Sequence, residues 1–143
     1  MCGISGFFLL NNYDSHRESL ETLRNMTNVL KHRGPNASGY WSSEKENIYL
    51  GHRRLSIIDL SESANQPMSS SENRYVIIFN GEIYNFRTLQ NELKSLFNIK
   101  FKTQSDTEVI LELIVQYGFR KTLDKITGMF SLVVWDKKEK NLF

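Results

Sequence analysis

The order of the apolar segments restricts the fold of this chain more than any other feature of its sequence. Segments with the length and composition of strands occur in groups, and three helical segments follow one another in the second half of the chain. Strict alternation would predict a parallel sheet, whereas this grouping favours an α+β fold with largely antiparallel sheets. The predicted strands comprise residues 3–10, 39–43, 47–51, 53–58, 74–80 and 129–135.

Start and stop signals mark the helices. Ser15 begins the sequence SHRE, which has the spacing of a capping box, and Ser105 begins SDTE with the same spacing. Asn85 is placed to cap another helix, and Gly118 suits the position just beyond a helix C-terminus. We therefore expect a helix after each of these caps and one further short helix over residues 119–126.

The C-terminal residues read as a β-hairpin that is interrupted in its second strand. The apolar run at 129–135 is followed by the polar DKKEK and then by NLF, where the sequence stops. We expect the chain to be a fragment of a longer protein. In that case residues 1–143 form a single domain that is incomplete at its C-terminal end.

Composition excludes several classes of protein. Hydrophobic residues make up 40% and charged residues 24% of the chain, as in soluble globular domains. A net charge of +2, with scattered basic residues, gives no reason to expect a nucleic acid or a membrane as a partner. No apolar run is long enough to span a bilayer, and the N-terminus lacks the features of a secretory signal. We therefore expect a cytoplasmic protein.

Cys2 is the one cysteine of the chain, which excludes an internal disulfide and a cysteine-based zinc site. Removal of Met1, which is usual before a small residue, would leave a thiol and an α-amine on the same N-terminal residue. Both kinds of group exchange protons close to neutral pH, so the amine can act as the base that activates the thiol. The alternative is that Cys2 serves only as a small apolar residue.

Asn80, Gly81 and Glu82 come at the end of the clearest predicted strand, RYVIIFN at residues 74–80. On a tight turn at a strand end, the asparagine amide and the glycine N–H could both donate to a developing oxyanion. Asn-Gly is also a common turn signal, and a type I′ hairpin needs no function. From these residues alone the turn is the favoured interpretation.

Three charged residues could bind a ligand. Arg53 and Arg54 adjoin an apolar strand, and because alternate residues face opposite sides, only one of them can point into a cleft and grip a carboxylate. Asp106 lies in the first turn of a capped helix, where it could hold an ammonium group. For each, a structural role is the simpler explanation: solvated charges at a sheet edge, and a carboxylate favoured by the helix dipole.

His32 and His52 raise the question of a cysteine–histidine pair. His32 falls at the end of a predicted helix and His52 at the start of a strand, so we interpret both as structural hydrogen-bonding residues. The glycine-rich phosphate-binding motifs are absent, and no cluster of metal ligands occurs in the sequence. We expect neither a nucleotide nor a metal ion in this domain.

Five motifs occur in one fixed order: MCGISGF at the start, HRGPNASG at 32–39, GHRRLSIIDLSESANQPM at 51–68, FNGEIYN at 79–85 and QSDTEVI at 104–110. Together they resemble the class II glutamine amidotransferase domain of glutamine-hydrolysing asparagine synthetases. The resemblance covers essentially the whole chain. Each motif is weak alone, whereas the ordered set is highly specific.

The resemblance implies the fold of the N-terminal nucleophile hydrolases, a four-layer sandwich of two mostly antiparallel sheets between helical layers. It implies that Cys2 is the nucleophile with its α-amine as base, and that the Asn80 side chain and the Gly81 N–H form the oxyanion hole. Arg54 would bind the α-carboxylate of glutamine, and Arg53 would lie outside the motif. The groups implied to hold the α-ammonium end are Glu82, Asp106 and the backbone of the stretch containing Leu55, Ile57 and Ile58.

The reaction implied by the resemblance is hydrolysis of L-glutamine to glutamate and ammonia through a thioester on Cys2, with no cofactor in this domain. In the asparagine synthetase branch, the ammonia passes to a downstream synthetase domain of the same chain, which makes asparagine from aspartate. That domain is expected to use ATP and Mg and is absent here. The expected partners are therefore L-glutamine and the synthetase domain, with a homodimer also compatible.

Two alternatives stay open. A related domain could serve an enzyme that amidates another acceptor, for example in surface-polysaccharide synthesis, or could act on a different amide with the same thiol and amine. The fragment could also be a non-catalytic module. The effect of replacing Arg54 on the KM for free glutamine would distinguish glutamine from other amides as the substrate. Intact mass would show whether Met1 is retained, in which case the α-amine of Cys2 is blocked.

Overall fold

A computed structural model describes residues 1–10 and 15–143 of the chain. None of the helices in these ranges is long and apolar enough to cross a bilayer. The strands and α-helices within them are β1 (Gly3–Phe8), α1 (His16–Val29), β2 (Ala37–Ser43), β3 (Ile48–Arg54), β4 (Met68–Ser69), β5 (Tyr75–Ile83), α2 (Phe86–Phe97), α3 (Asp106–Tyr117), α4 (Phe119–Lys125), β6 (Gly128–Asp136) and β7 (Asn141–Leu142).

The strands form two antiparallel sheets. The first has the order β1-β3-β2 and the second the order β4-β5-β6-β7. In the first sheet Gly3 lies opposite Arg53, and Ala37 lies opposite Arg54. The start of β1 therefore adjoins the end of β3, and the chain segment before β1 comes close to the segment after β3.

The two sheets pack face to face, with helices on both outer sides. Ile48 and Leu50 of the first sheet contact Val76, Ile78 and Trp135 of the second to form the inner core. Helix α1 packs on the outside of the first sheet, and α3, with α2 beside it, packs on the outside of the second. This is the four-layer α+β sandwich expected from the sequence. The outer core under α2 and α3 includes Ile77, Phe79, Ile83, Leu89, Leu93, Val109, Ile110, Leu113, Ile114 and Val134.

The helix caps agree with the predicted positions but differ in one contact. At α1 the capping box is complete, because Glu18 N donates to the Ser15 side chain and the Glu18 carboxylate accepts from Ser15 N. Asn85 precedes α2 without capping it through its side chain. Its Nδ2 instead donates to Lys125 O at 2.9 Å, and its Oδ1 accepts from Thr127 N at 2.9 Å. Asn85 thus ties the junction of β5 and α2 to the start of β6.

The strand predicted over residues 53–58 does not form. Strand β3 continues to Arg54, and the residues that follow form a loop. The Arg54 guanidinium donates to the carbonyl oxygens of Asp59 and Ser61, which curls this segment back on the end of β3. Hydrogen bonds from one side chain to the backbone thus accompany the end of the strand, and the sequence pattern does not show such bonds.

Strand β5 passes straight through the predicted turn. Asn80 and Gly81 lie inside the strand, which continues to Ile83, so the turn predicted at Asn-Gly is wrong. A Cβ added to Gly81 would come within 2.3 Å of Met129 O and 2.5 Å of Phe130 Cα. Pairing with the nine residues of β6 outweighs the local preference of Asn-Gly, and only glycine fits this close to the neighbouring strand.

His52 links the two sheets. Its side chain is 1% exposed, and Nε2 donates to Phe79 O on β5 at 3.2 Å. Burial lowers the pKa of His52 from 6.5 to about 4, and the nearby charge of Arg54 adds to this effect. His52 is therefore neutral at pH 7 and is the structural hydrogen-bonding residue that the sequence predicted. His32 is exposed, and its Nδ1 lies 3.0 Å from Val29 O, also as a structural contact.

We expect the free energy of unfolding to decrease as the pH falls from 6.5 to about 4, because the unfolded chain binds a proton on His52 in this range and the folded chain does not. The full effect corresponds to about 3 kcal/mol and is absent above the unfolded pKa. Carboxylates titrate in the same range, so urea unfolding is compared at several pH values between wild type and His52→Gln. Parallel pH profiles for the two proteins would contradict the prediction.

Candidate active site

A cavity of about 260 Å³ opens where β1 begins and β3 ends. Its walls come from the N-terminus, the loop after β3, the C-terminal half of β5 and the first turn of α3. All nine residues predicted to form the site line this cavity: Cys2, Arg54, Leu55, Ile57, Ile58, Asn80, Gly81, Glu82 and Asp106.

Cys2 directly precedes β1 and is half-buried in the cavity wall. Its Sγ accepts a hydrogen bond from Leu55 N at 3.4 Å and lies 3.8 Å from Leu55 O, to which the thiol can donate. The Cys2 carbonyl accepts from Arg33 Nε at 3.1 Å. Met1 precedes Cys2 here and lines the same cavity. Removal of Met1 would therefore expose the new α-amine at this wall.

Arg54 shapes the loop against which the thiol rests. Its side chain is buried, with Nη1 donating to Ser61 O at 2.7 Å and to Asn65 Oδ1 at 2.8 Å, and Nη2 donating to Asp59 O. These bonds use three of the five N–H donors of a guanidinium. Nε and one N–H of Nη2 have no acceptor among the residues that the structure describes, and a guanidinium can bind a carboxylate in a bidentate manner through such a pair. Arg54 can thus hold both the loop and a ligand.

Arg53 faces the other side of β3, as the alternation of a strand predicts. It is 7% exposed, as is Arg54, and its Nε donates to Gly34 O at 3.0 Å. The prediction that only one arginine enters a cleft is confirmed. The interpretation of both as solvated charges at a sheet edge is wrong, because β3 is the central strand of its sheet and is covered on both faces.

Asp59 fixes the loop after β3 to the segment before α3. Its Oδ1 accepts from Ser61 N at 2.7 Å, and its Oδ2 accepts from Gln104 N at 2.7 Å. The hydrogen bond from the Ser61 side chain is the main cause that lowers the pKa of Asp59, and the bond from Gln104 adds to it. The backbone groups of the loop are therefore held in place next to Cys2.

Beyond Ile77, no strand within residues 1–10 and 15–143 lies beside β5 on one of its two sides. Strand β4 pairs only with Val76 and Ile77. In an antiparallel strand the N–H groups of alternate residues point to the same side. Tyr84 N donates to Thr127 O in continuation of the β5–β6 pairing, so the even-numbered N–H groups face β6 and the odd-numbered ones face the open side.

The N–H groups of Phe79, Gly81 and Ile83 face this open side, and side chains accept hydrogen bonds from the first and the last of them. Phe79 N donates to Gln66 Oε1 at 2.6 Å, and Ile83 N donates to Asp106 Oδ2 at 3.2 Å. Between them, the Gly81 N–H has no acceptor among the described residues, and Gly81 lines the cavity. The donor expected at Gly81 is thus available to a ligand, although it comes from an unpaired part of a strand and not from a tight turn.

Asn80 projects from β5 on the same face as Ile78, towards the first sheet. Its Oδ1 is buried without a hydrogen-bond partner in the part of the chain that the structure describes. A buried polar atom without a partner costs about 1–3 kcal/mol. An amide in this state on the wall of a cavity marks a position where a ligand can bond.

Asp106 and Glu82 give one part of the wall a negative charge. Asp106 is 6% exposed, and burial raises the pKa of its carboxyl, with Glu82 adding a smaller effect in the same direction. Arg54 supplies a positive group to the same cavity. The lining is therefore suited to a small zwitterion. Within residues 1–10 and 15–143, no three His, Cys, Asp or Glu side chains are grouped as metal ligands would be.

Comparison with known proteins decides the family. The family model described as the glutamine amidotransferase domain matches residues 1–143. The chain belongs to this family. A solved structure of glutamine phosphoribosylpyrophosphate amidotransferase from Bacillus subtilis is similar to this chain, with a TM-score of 0.54 and 24% identity. The matched region covers 63% of this chain and 21% of the solved chain. That likeness shows that the two chains share a fold.

Sequence relatives are longer than this amidotransferase chain. The glutamine-hydrolysing asparagine synthetase 1 of Bacillus subtilis is 38% identical over 143 residues, which are 100% of this chain and 22% of the relative. A protein named amidase chry2, from Gibberella zeae, is 35% identical over 150 residues, which are 99% of this chain and 22% of the relative. The chain thus spans about a fifth of the length of these curated relatives.

Two residues that line the cavity were not singled out in the sequence analysis. Asp59 is followed two residues later by Ser61, which is the spacing of an Asx turn, so a structural role for this carboxylate could have been found. Gln66 stands in the motif ANQPM and is 7% exposed. Nothing in the local pattern marks it, because its bond to Phe79 N depends on where β4 stops.

Proposed function

We propose that this amidotransferase chain hydrolyses L-glutamine to glutamate and ammonia, with Cys2 as the nucleophile after removal of Met1. One observation carries the proposal. A thiol, an unpaired backbone donor and charged groups suited to both ends of an amino acid line a single cavity. In this proposal residues 1–143 are the glutaminase part of a longer protein.

In this proposal, glutamine is held by the two charged groups attached to its α-carbon. The free N–H groups of Arg54 bind the α-carboxylate, while Asp106, Glu82 and backbone groups of the loop over 55–58 hold the α-ammonium group. The ammonium favours the ionised form of Asp106, whose pKa is raised by burial. A glutamine residue inside a peptide carries neither charge and would leave buried groups unpaired, so we expect selectivity for the free amino acid.

The first step forms a thioester and releases ammonia. The α-amine of Cys2 takes the thiol proton as Sγ attacks the side-chain amide carbon, and the electron pair of the C=O bond moves to oxygen. This oxyanion accepts hydrogen bonds from the Gly81 N–H and from Asn80 Nδ2. The α-ammonium then gives its proton to the amide nitrogen, the C=O bond re-forms as the C–N bond breaks, and ammonia leaves the thioester.

The second step releases glutamate. The α-amine removes a proton from water as its oxygen attacks the thioester carbon, and the same two donors stabilise the second oxyanion. The C=O bond re-forms as the C–S bond breaks and its electron pair leaves with the sulfur, which regains a proton from the α-ammonium. Protons in both steps pass between the α-amine, the sulfur, the substrate and water, so the site returns to its starting state.

We propose that the ammonia is used by a synthetase domain that follows this one, with aspartate as the acceptor and ATP as the source of activation. Several of the relatives are named glutamine-hydrolysing asparagine synthetases, and the chain covers 22% of the first of them. In the second candidate function, the enzyme delivers ammonia to another acceptor or hydrolyses another amide. This function is favoured by the 35% identity to a protein named an amidase.

Intact mass and glutamate release, measured together, test the glutaminase proposal. We expect a protein without Met1, formation of glutamate, and loss of turnover after one adduct with an alkylating analogue of glutamine, located on Cys2. Turnover by protein that retains Met1 would exclude the α-amine as the base. Protein without Met1 that shows neither turnover nor an adduct would exclude glutamine hydrolysis by this chain.

We expect Arg54→Ala to raise the KM for glutamine at least about 30-fold, because truncating one partner of a buried charge pair costs at least about 2 kcal/mol. Arg54 also holds the loop after β3, so a second substrate is needed to separate its two roles. For 4-aminobutanamide, which is glutamine without its α-carboxylate, the same change should affect kcat/KM much less.

Arg53→Ala is the matched control for this prediction, because the two arginines are adjacent and equally buried and only Arg54 lines the cavity. It should lower stability and leave the KM for glutamine unchanged. An unchanged KM in Arg54→Ala, or an equal loss with both substrates, would favour the second candidate, an enzyme for a different amide.

A further inference from the structure

We propose that His52 and Gln66 are positioning residues that hold Phe79 from both of its peptide groups and so set the direction of the two oxyanion donors that follow it. The proposal rests on the proposed function, since it names the residues that hold the oxyanion hole. Neither residue is assigned a contact with glutamine. Both act through the backbone of β5.

Gln66 replaces the missing strand beside Phe79. Its Oε1 accepts from Phe79 N at 2.6 Å, and its Nε2 donates to Thr107 Oγ1 at 3.2 Å. Gln66 is 7% exposed and Thr107 is buried in the first turn of α3, next to Asp106. One side chain therefore couples the strand that carries the oxyanion donors to the helix that carries the carboxylate for the substrate ammonium.

His52 holds the other peptide group of Phe79. Its Nε2 donates to Phe79 O at 3.2 Å from the opposite sheet, and its ring is 1% exposed. This carbonyl belongs to the peptide plane that continues into Asn80. The bond thus restrains the plane from which the Asn80 side chain projects, one residue before the Gly81 N–H.

The main chain of Gln66 is also closely fitted. A Cβ on Gly39 of β2 would lie 1.9 Å from Gln66 O, so the segment that carries Gln66 packs directly on the backbone of the first sheet. A side chain anchored in this way can move little. The two buried side chains therefore give Phe79 the restraint that a complete ladder of strand hydrogen bonds gives elsewhere in the sheet.

The experiment compares substitutions that remove a bond with one that retains it. His52→Leu removes the donor to Phe79 O, His52→Gln keeps an N–H donor on a side chain of similar reach, and Gln66→Met removes the acceptor for Phe79 N. Each is measured for kcat and KM with glutamine, for thermal unfolding, and for the rate at which iodoacetamide alkylates Cys2. Alkylation by iodoacetamide displaces iodide at a saturated carbon and needs no oxyanion donor.

We expect His52→Leu and Gln66→Met to lower kcat by about 10- to 100-fold, which is less than the loss of a whole oxyanion donor, while the alkylation rate stays close to the wild-type value. KM should stay unchanged in His52→Leu, whereas Gln66 also lines the cavity and bonds to Thr107 beside Asp106, so its KM is not used as a criterion. His52→Gln should recover most of kcat. A purely structural role would instead lower the amount of folded protein and leave the turnover of each folded molecule unchanged. If His52→Leu does not fold, the Gln66→Met protein decides the matter by the same readouts.

Three outcomes would overturn the proposal. The first is an unchanged kcat in the folded variants. The second is a parallel loss of the iodoacetamide rate, which would place the effect on the thiol and not on the oxyanion donors. In both of these outcomes the wild-type protein still hydrolyses glutamine, so the proposed glutaminase function is not affected. The third, wild-type protein without any glutamine turnover, would refute the proposed function together with the positioning role.

Discussion

Replacing Cys2 with alanine is expected to abolish glutamine hydrolysis, with kcat falling by roughly 10⁴-fold or more, as for the removal of a nucleophile in other acyl-transfer enzymes. The thiol is the only atom group at the cavity that can form the thioester, and Cys2 is the one cysteine of the chain. The α-amine is retained in Cys2→Ala, so the loss isolates the sulfur. Glutamate release is the measurement.

The fold should tolerate this change, because the hydrogen bonds that Sγ makes with the described residues are two weak ones to the backbone of Leu55, at 3.4 and 3.8 Å. Ser95→Ala on the exposed side of α2 is the control: it also removes one side-chain heteroatom, far from the cavity, and should leave kcat unchanged. Glutamine turnover that persists in folded Cys2→Ala protein would rule out the proposed mechanism.

Replacing Gly81 with alanine is expected to lower both stability and kcat. The new Cβ would lie 2.3 Å from Met129 O and 2.5 Å from Phe130 Cα, so β5 and β6 must separate locally. Overpacking of this kind costs about 1–3 kcal/mol. A displacement of the oxyanion donor by about 1 Å is enough to lower kcat by about 10²-fold. Urea unfolding and glutamate release measure the two effects.

Gly118→Ala is the matched control for that prediction. Gly118 has a φ of 82°, at which alanine is strained, but a Cβ there meets no other atom within 4 Å, and the residue does not line the cavity. It should lower stability by about 1–3 kcal/mol without a change in kcat. If Gly81→Ala retained wild-type kcat in its folded fraction, Gly81 would not be an oxyanion donor.

Local signals predicted the helices of this domain well, because their caps are formed by neighbours in sequence. Ser15 caps α1 with Glu18, Ser105 accepts from Glu108 N at the start of α3, and Gly118 ends α3. The strands were less predictable. Asn80-Gly81 carries a strong local signal for a turn, and the pairing that overrides it comes from a strand far along the chain. Such long-range pairing leaves no trace in the local pattern.

The residues that line the cavity could be predicted from the sequence, whereas the contacts that hold them could not. Ordered motifs pointed to Cys2, Arg54 and Asp106, which line one cavity as expected. The partners that hold the site are side chains bonded to backbone atoms, as in Gln66 with Phe79 N and Arg54 with the loop carbonyls. Backbone atoms are the same in every residue, so a sequence pattern carries no sign of which one a side chain will reach.

The early end of β4 also leaves an edge of β5 that resists association with other chains. Strand β4 has two residues, and the N–H of Gly81 points to the side that a longer strand would have filled. An open strand edge is usually a template for pairing with another chain. Here the N–H groups on either side of Gly81 already donate to the side chains of Gln66 and Asp106. A single N–H cannot hold a strand, so the gap that accepts a small molecule is closed to a peptide that would pair along the edge.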